Sequence, residues 1–287
     1  MSSTDNEVDL GVLIGHDGSP AADRALDWAA QDAVARRVPL YVVTAVPVGG
    51  LGHRHRVELR ERAHALVDAA CARVRARFAK ADVEGSVREG DAAESLLEAS
   101  GRADTMVIGS RGHGGFAGLL LGSVSLRVCA HSSCPVVVVH ADAAEDASGV
   151  VVGIAGPEDG PAAEFAASRA RRLGGLRAVH SWALPVTGLA PSLMLPSMFD
   201  VDEIAAERGR MLETVLGPIR LGNPELPVDT VVMNGTAGRD LVCASIGNAL
   251  VVVATHPRHG PLPMRLGPTT HAVLHHARCP VAVVPVH

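Results

Sequence analysis

Lysine is almost missing from this chain: among its 287 residues, only Lys80 supplies one. That scarcity removes one class of phosphate site, because a Walker A loop, GxxxxGK[ST], needs a lysine beside its glycines. No apolar run approaches the roughly 20 residues that cross a bilayer. The opening MSSTDNEVDL has neither the basic nor the apolar region of a signal peptide. The five cysteines, Cys71, Cys129, Cys134, Cys243 and Cys279, form no CxxC pair. An odd set of thiols without a secretory leader points to reduced cysteines. Together these absences predict a soluble, cytoplasmic protein that neither enters nor needs a membrane. A basic excess is lacking too. The formal net charge of −5 argues against nucleic acid as a partner, since phosphate backbones select basic faces. Arginines do gather between Arg60 and Arg77, but they are interleaved with Glu61 and Asp68 and preceded by Glu58, as on a solvated helix face.

What is present is a globular composition, 47% hydrophobic and 20% charged, in a chain long enough for two domains with a core each. A repeat then becomes visible. Val107 to Val139 reads VIGSRGHGGFAGLLLGSVSLRVCAHSSCPVVVV, and Val252 to Val284 reads VVATHPRHGPLPMRLGPTTHAVLHHARCPVAVV. Cys134-Pro135 recurs as Cys279-Pro280, an offset of 279 − 134 = 145 residues, and the same offset relates Gly122 to Gly267 and Gly90 to Gly235. A duplicated domain follows, 1–142 and 148–287, joined through the polar stretch Ala141–Gly149.

Within each half, short apolar runs alternate with longer helical patterns. In the first half the strands fall at Gly11–Gly15, Pro39–Val46, Val83–Glu89, Thr105–Gly109 and Val136–His140. Helices are predicted at Ala21–Arg36, Val57–Ala79, Ala92–Ser100 and Ser123–His131, with Ser19-Pro20 as a serine cap followed by proline. The second half repeats the order, with strands at Val150–Ile154, Arg177–Trp182, Val228–Met233, Leu250–Ala254 and Val281–Val286. Strands this apolar are covered on both faces, and alternating β and α elements imply parallel strands joined by right-handed crossovers. The expected fold is therefore α/β: two tandem, doubly wound, five-stranded parallel sheets. Loops over Pro47–Arg56 and Leu184–Phe199 follow the second strand of each half, with the length and Gly/Pro content of a cover over the strand ends.

The chemistry concentrates in one loop. Open α/β sheets bind ligands beyond the carboxyl ends of their strands, where the winding reverses. There the first half carries Gly109-Ser110-Arg111-Gly112-His113-Gly114-Gly115, and then Gly122-Ser123 opening a helix. Glycines let backbone amides approach phosphate oxygens, and a helix start adds free N–H groups with partial positive charge. Ser123 is expected to cap that helix and to offer its hydroxyl to a phosphate, with Arg111 and His113 as candidates for neutralising charge. The dinucleotide fingerprint GxGxxG is missing after the first strand, where Gly15-His16-Asp17-Gly18-Ser19 stands instead. Asp17 ends strand one, placed to accept from a ribose hydroxyl or to hold a phosphate-bound metal.

Gly109-x2-Gly112-x9-Gly122-Ser123, set between a V-I-G strand end and a C-P-V-V-V-V strand, resembles the ATP-binding pattern of the universal stress protein family. The Asp-Gly-Ser after strand one and Gly90-Asp91 after strand three match as well, and the resemblance runs along nearly the whole chain as two copies. It implies an adenine nucleotide alpha hydrolase-like, Rossmann-like domain that binds ATP, with or without Mg²⁺. By position, Asp17 and Ala45 would face the adenosine, and Gly109, Arg111, Gly112, Gly122, Ser123, Val124 and Ser125 would line ribose and phosphates. It also implies domain pairing through the last strands, Val136–Val139 and Val281–Val284, within one chain or in a homodimer. The function implied is nucleotide-dependent regulation in a stress response through a protein partner that the sequence does not name. The rival readings are a slow Mg²⁺-dependent ATPase and a scaffold with a vestigial site. No lysine and no water-positioning Gln or Glu flank the loop, which sets efficient phosphoryl transfer aside.

The second half departs from the pattern. Ala155 stands for Asp17, Ala254 for Gly109, Pro257 for Gly112 and Pro268 for Ser123, and proline offers no amide to an anion. A non-binding partner domain is expected. His271, His275 and His276 lie at helical spacing, yet without the Glu of HExxH or a third ligand they read as a solvent-facing helix. His53 and His55 are assigned to a loop, and Cys134 and Cys279 to small core positions.

Overall fold

The computed structural model describes residues 10–49, 53–112, 121–139, 146–183, 200–256 and 266–286. The chain divides into two compact units, one centred on Met1–Asp142 with Pro280–Pro285, the other on Ala143–Pro257 with Gly267–Cys279. Several expected features, His113, Gly114, Gly115, the cover loop Leu184–Phe199 and Pro257, lie outside the described residues.

The first unit is built on β1 (Val12–Gly15), β2 (Leu40–Val46), β3 (Val83–Glu89), β4 (Thr105–Gly109) and β5 (Val136–Val139). They run parallel in the order β3-β2-β1-β4-β5, with Ile14 opposite Val42 on one side and Val107 on the other. The burial of each strand follows its place. Val12, Leu13 and Ile14 are sealed because helices cover both faces of the middle of the sheet. β3, VEGSVRE, is polar and half exposed, as suits an edge. The last strand of the chain, β10 (Val281–Pro285), belongs to this unit and pairs antiparallel with β5, Val281 opposite Val138 and Val283 opposite Val136.

Helices α1 (Pro20–Arg36), α2 (His53–Arg77), α3 (Ala92–Ser100) and α4 (Ser123–His131) connect these strands. α1 buries a stripe of Ala22, Ala25, Leu26, Ala29 and Ala33, small side chains at helical spacing that let it lie close on the sheet. Ser19 accepts from the Ala22 amide, Pro20 is the first helical residue, and Arg37 ends the helix at φ 60°. α2 starts four residues earlier than its expected Val57, so His53 and His55 are helical and the cover loop after β2 is shorter than Pro47–Arg56. The first turn has no acidic residue to favour it. An Arg54–Glu58 contact at 3.3 Å, one turn apart, compensates in part.

The second unit repeats the plan with β6 (Val150–Gly153), β7 (Leu176–Trp182), β8 (Val228–Asn234) and β9 (Leu250–Thr255), β6 lying between β7 and β9, all parallel. Its helices are α5 (Gly160–Leu173), α6 (Val201–Gly222), α7 (Ala237–Ala244) and α8 (Pro268–His276). Both halves thus carry the expected doubly wound α/β pattern.

Candidate functional site

In the first unit the strand order reverses between β1 and β4, which lead in the chain to α1 and α4. A crevice at their carboxyl ends is the usual consequence. Gly109 ends β4 against the start of α1: a Cβ there would lie 2.9 Å from the Ala21 carbonyl carbon and 3.0 Å from its oxygen. Only glycine allows this approach. Ser19 adds a second link, its hydroxyl donating to the Arg111 carbonyl at 3.3 Å while also capping α1. The two loops are therefore joined by side chain and by backbone contact.

Asp17 leaves β1 exposed, its carboxylate accepting from the Ser19 amide at 3.0 Å. It reaches the glycine loop: a Cβ on Gly112 would collide with Asp17 Oδ2. Arg111 and Gly112 are both exposed beside it. α4 begins after Gly122, whose amide donates to the Ser110 carbonyl at 2.8 Å. The first helical hydrogen bond of α4 comes from Leu126 to Gly122, so the amides of Ser123, Val124 and Ser125 precede the ladder. No acidic residue stands in that turn. An anion would meet the full partial charge of the helix start.

Two expected roles change. Ser123 is not the cap of α4: Gly122 holds the cap position, in extended conformation and without a side-chain bond, and Ser123 is the first helical residue, exposed. Ser125 is buried, and its hydroxyl donates to the Gly109 carbonyl at 3.0 Å, so its side chain braces the loop and only its amide faces outward duty. Ala45 lies half-buried near the end of β2, next to Thr44, whose hydroxyl donates to the His16 carbonyl at 2.7 Å. Asp17 thus lies on the loop after β1, Gly109, Arg111 and Gly112 at and after the end of β4, Gly122 at the cap of α4 with Ser123, Val124 and Ser125 in its first turn, and Ala45 on the adjoining strand β2.

The sequence reading missed His16. It is buried, and its Nε2 lies 3.1 Å from Asp23 Oδ1 on α1. Asp23 in turn lies 3.9 Å from Arg73 on α2, so the residue before Asp17 is tied to the charged face of two helices. A histidine between two strand-end positions was the only signal.

The same edge of the second unit is arranged otherwise. Asp159, at the start of α5, is buried and turns its carboxylate back to the amides of Ala155 and Gly156. Its Oδ1 faces His256 Nε2 at 2.9 Å, off the angle of an aligned hydrogen bond. Burial pushes the Asp159 carboxyl up from its ordinary value, opposed by the Ala155 amide and the His256 charge. His256 stands 145 residues after Arg111, so the offset could have pointed to it. Pro268 opens α8 behind a Gly267 cap, and the amide that Ser123 supplies in α4 has no counterpart.

Comparison with known proteins agrees with this architecture. The family model described as the universal stress protein family matches residues 11–140 and again 149–285. The chain belongs to the universal stress protein family. Among curated universal stress proteins, Rv2005c of Mycobacterium tuberculosis is 34% identical over 290 residues, covering 95% of this chain and 96% of the relative. Rv2623 of the same organism is 31% identical over 298 residues, with 96% of each covered. A crystal structure of a universal stress protein from Archaeoglobus fulgidus superposes with TM-score 0.74 at 21% identity, covering 96% of this chain and 98% of that one. This universal stress protein therefore carries two tandem copies of the family domain on one chain.

Proposed function

We propose that this universal stress protein binds one ATP, with or without Mg²⁺, in its first domain, 1–142, and that its second domain, 148–287, holds none. The observation that carries the reading is the gathering of Asp17, Gly112 and the open first turn of α4 around the β1–β4 reversal. The amides of Ser123, Val124 and Ser125 would hold phosphate oxygens, Gly109 and Gly112 would let the backbone approach, and Arg111 would offset phosphate charge. Asp17 would accept from a ribose hydroxyl or from a water on Mg²⁺, and Ala45, short and half-buried, would leave room for the base. In the second domain a buried carboxylate, Asp159, occupies the loop that would face a ligand, and Pro268 replaces an amide.

Nucleotide occupancy would then bias a homodimer or a regulatory protein partner in the cytoplasm. A slow ATPase is the second reading, favoured by Asp17 lying against the phosphate loop. The test is mass spectrometry of nucleotide released from the denatured protein, quantified per chain. About one ATP per chain is expected from a single working loop. Protein that carries none, and takes up none when given Mg-ATP, would overturn the reading. Mg²⁺-dependent turnover lost in Asp17→Ala would move the assignment to the ATPase.

A further inference from the structure

Helix α8 carries three histidines in its last two turns, and two of them are brought face to face. His271 and His275 lie four residues apart, with ring centroids 4.5 Å apart and ring planes within 19° of parallel. His271 is exposed and His275 half-buried. His276 stands aside, its ring 6.2 Å from that of His275 and tilted by 48°. The repeat supplies an internal contrast. At the positions 145 residues earlier, α4 carries Leu126 and Ala130, so the first unit has the same helix without the pair.

We propose that His271 and His275 form a two-imidazole chelate for a divalent transition-metal ion, with Cu²⁺ as the best-fitting ion. Imidazole suits copper, nickel and zinc, and a spacing of four residues puts two ring nitrogens on one helix face, within reach of one ion. Among the described residues no group of three or more His, Cys, Asp or Glu is placed to hold a metal. A closed tetrahedral cage, the usual structural zinc site, is therefore not offered here. A tetragonal ion that takes two adjacent nitrogens and fills its other positions with water needs no third protein ligand. Cu²⁺ also heads the affinity order of first-row divalent ions at a nitrogen site. Of the pair, His275 lies in the last turn of α8, where unpaired carbonyls favour positive charge, while His271 stands one turn before it.

The test is titration of the full chain with CuCl₂, followed by electron paramagnetic resonance. The expected result is one nitrogen-coordinated Cu²⁺ site that is lost in His271→Leu and in His275→Ala. These are the residues that α4 carries at the matching positions, which makes them compatible with the helix. Each replacement is expected to weaken binding about 10²-fold, as a two-point grip becomes a one-point grip. His276→Ala is expected to leave the site intact. Circular dichroism checks folding, and His271→Gln replaces His271→Leu if that variant misfolds. The chain holds fourteen histidines, so ions bound elsewhere would persist in the double variant at lower affinity. Equal affinity in the wild type and the double variant, or loss of the signal through His276→Ala alone, would overturn the assignment.

Discussion

Gly109 shows how much of this site rests on a missing side chain. A methyl group there would press on the Ala21 carbonyl at 2.9 to 3.0 Å, backbone against backbone, with no flexible end to move aside. Gly109→Ala is therefore expected to cost about 1–3 kcal/mol in urea unfolding and to loosen the joint between the β1 and β4 loops. The cysteines make a second prediction at this scale. Burial pushes the Cys129 and Cys279 thiols up to about 12, and Cys71 and Cys134 upward as well, so these four remain protonated and inert. Only the exposed Cys243 is expected to react promptly with a disulfide reagent in the folded protein, with the rest following on denaturation. Asp159 makes a third. Its folded-state pKa lies above the unfolded one, so its contribution to stability is greatest in acid and is lost as pH rises through the raised value. Compared with Asp159→Asn, the wild type should lose ground in unfolding free energy as pH climbs from about 4 toward neutrality. A gap that stays constant across that range would contradict the burial argument.

At the scale of elements, α1 connects stability to the site. Ser19 caps the helix and also ties it to the Arg111 carbonyl. Ser19→Ala should cost about 1 kcal/mol in stability and weaken nucleotide binding by releasing the glycine loop. The central strands were legible from their apolar runs because a strand buried on both faces leaves little else to read, while the polar edge strand β3 was placed by its position in the alternation of strands and helices. Their bounds match the expected ones within a residue or so. The start of α2 was not legible, since His53, Arg54, His55 and Arg56 are all exposed and show no apolar period. What ordered them was a pairing one turn ahead. The glycines of the candidate site were legible because Gly109, Gly112 and Gly122 stand at the spacing that resembles the family pattern. The cap of α4 misled because serine is a common cap, and only the backbone angles at Gly122 assign the position. The Asp159–His256 contact depends on residues nearly a hundred positions apart, which no local pattern carries.

For the molecule as a whole, the 145-residue offset was the most informative line of the sequence, since it tells of two domains and of their unequal loops. It does not tell where the last strand goes. β10 is made from the final residues of the chain and pairs with β5 of the first unit. A chain ended at Asp142 would leave the β5 edge, four consecutive valines, without that partner. Such an edge is a template for other strands. The shortened chain is expected to self-associate in size-exclusion chromatography, where monomeric behaviour would show the edge to be harmless. The same pairing bears on biosynthesis. During translation β5 leaves the ribosome long before Val281 is joined to the chain, so for that interval every growing copy offers an open valine edge to its neighbours on the same messenger. Slow elongation or crowded polysomes would lengthen the exposure, and a chaperone that shields β5 until release would protect this protein.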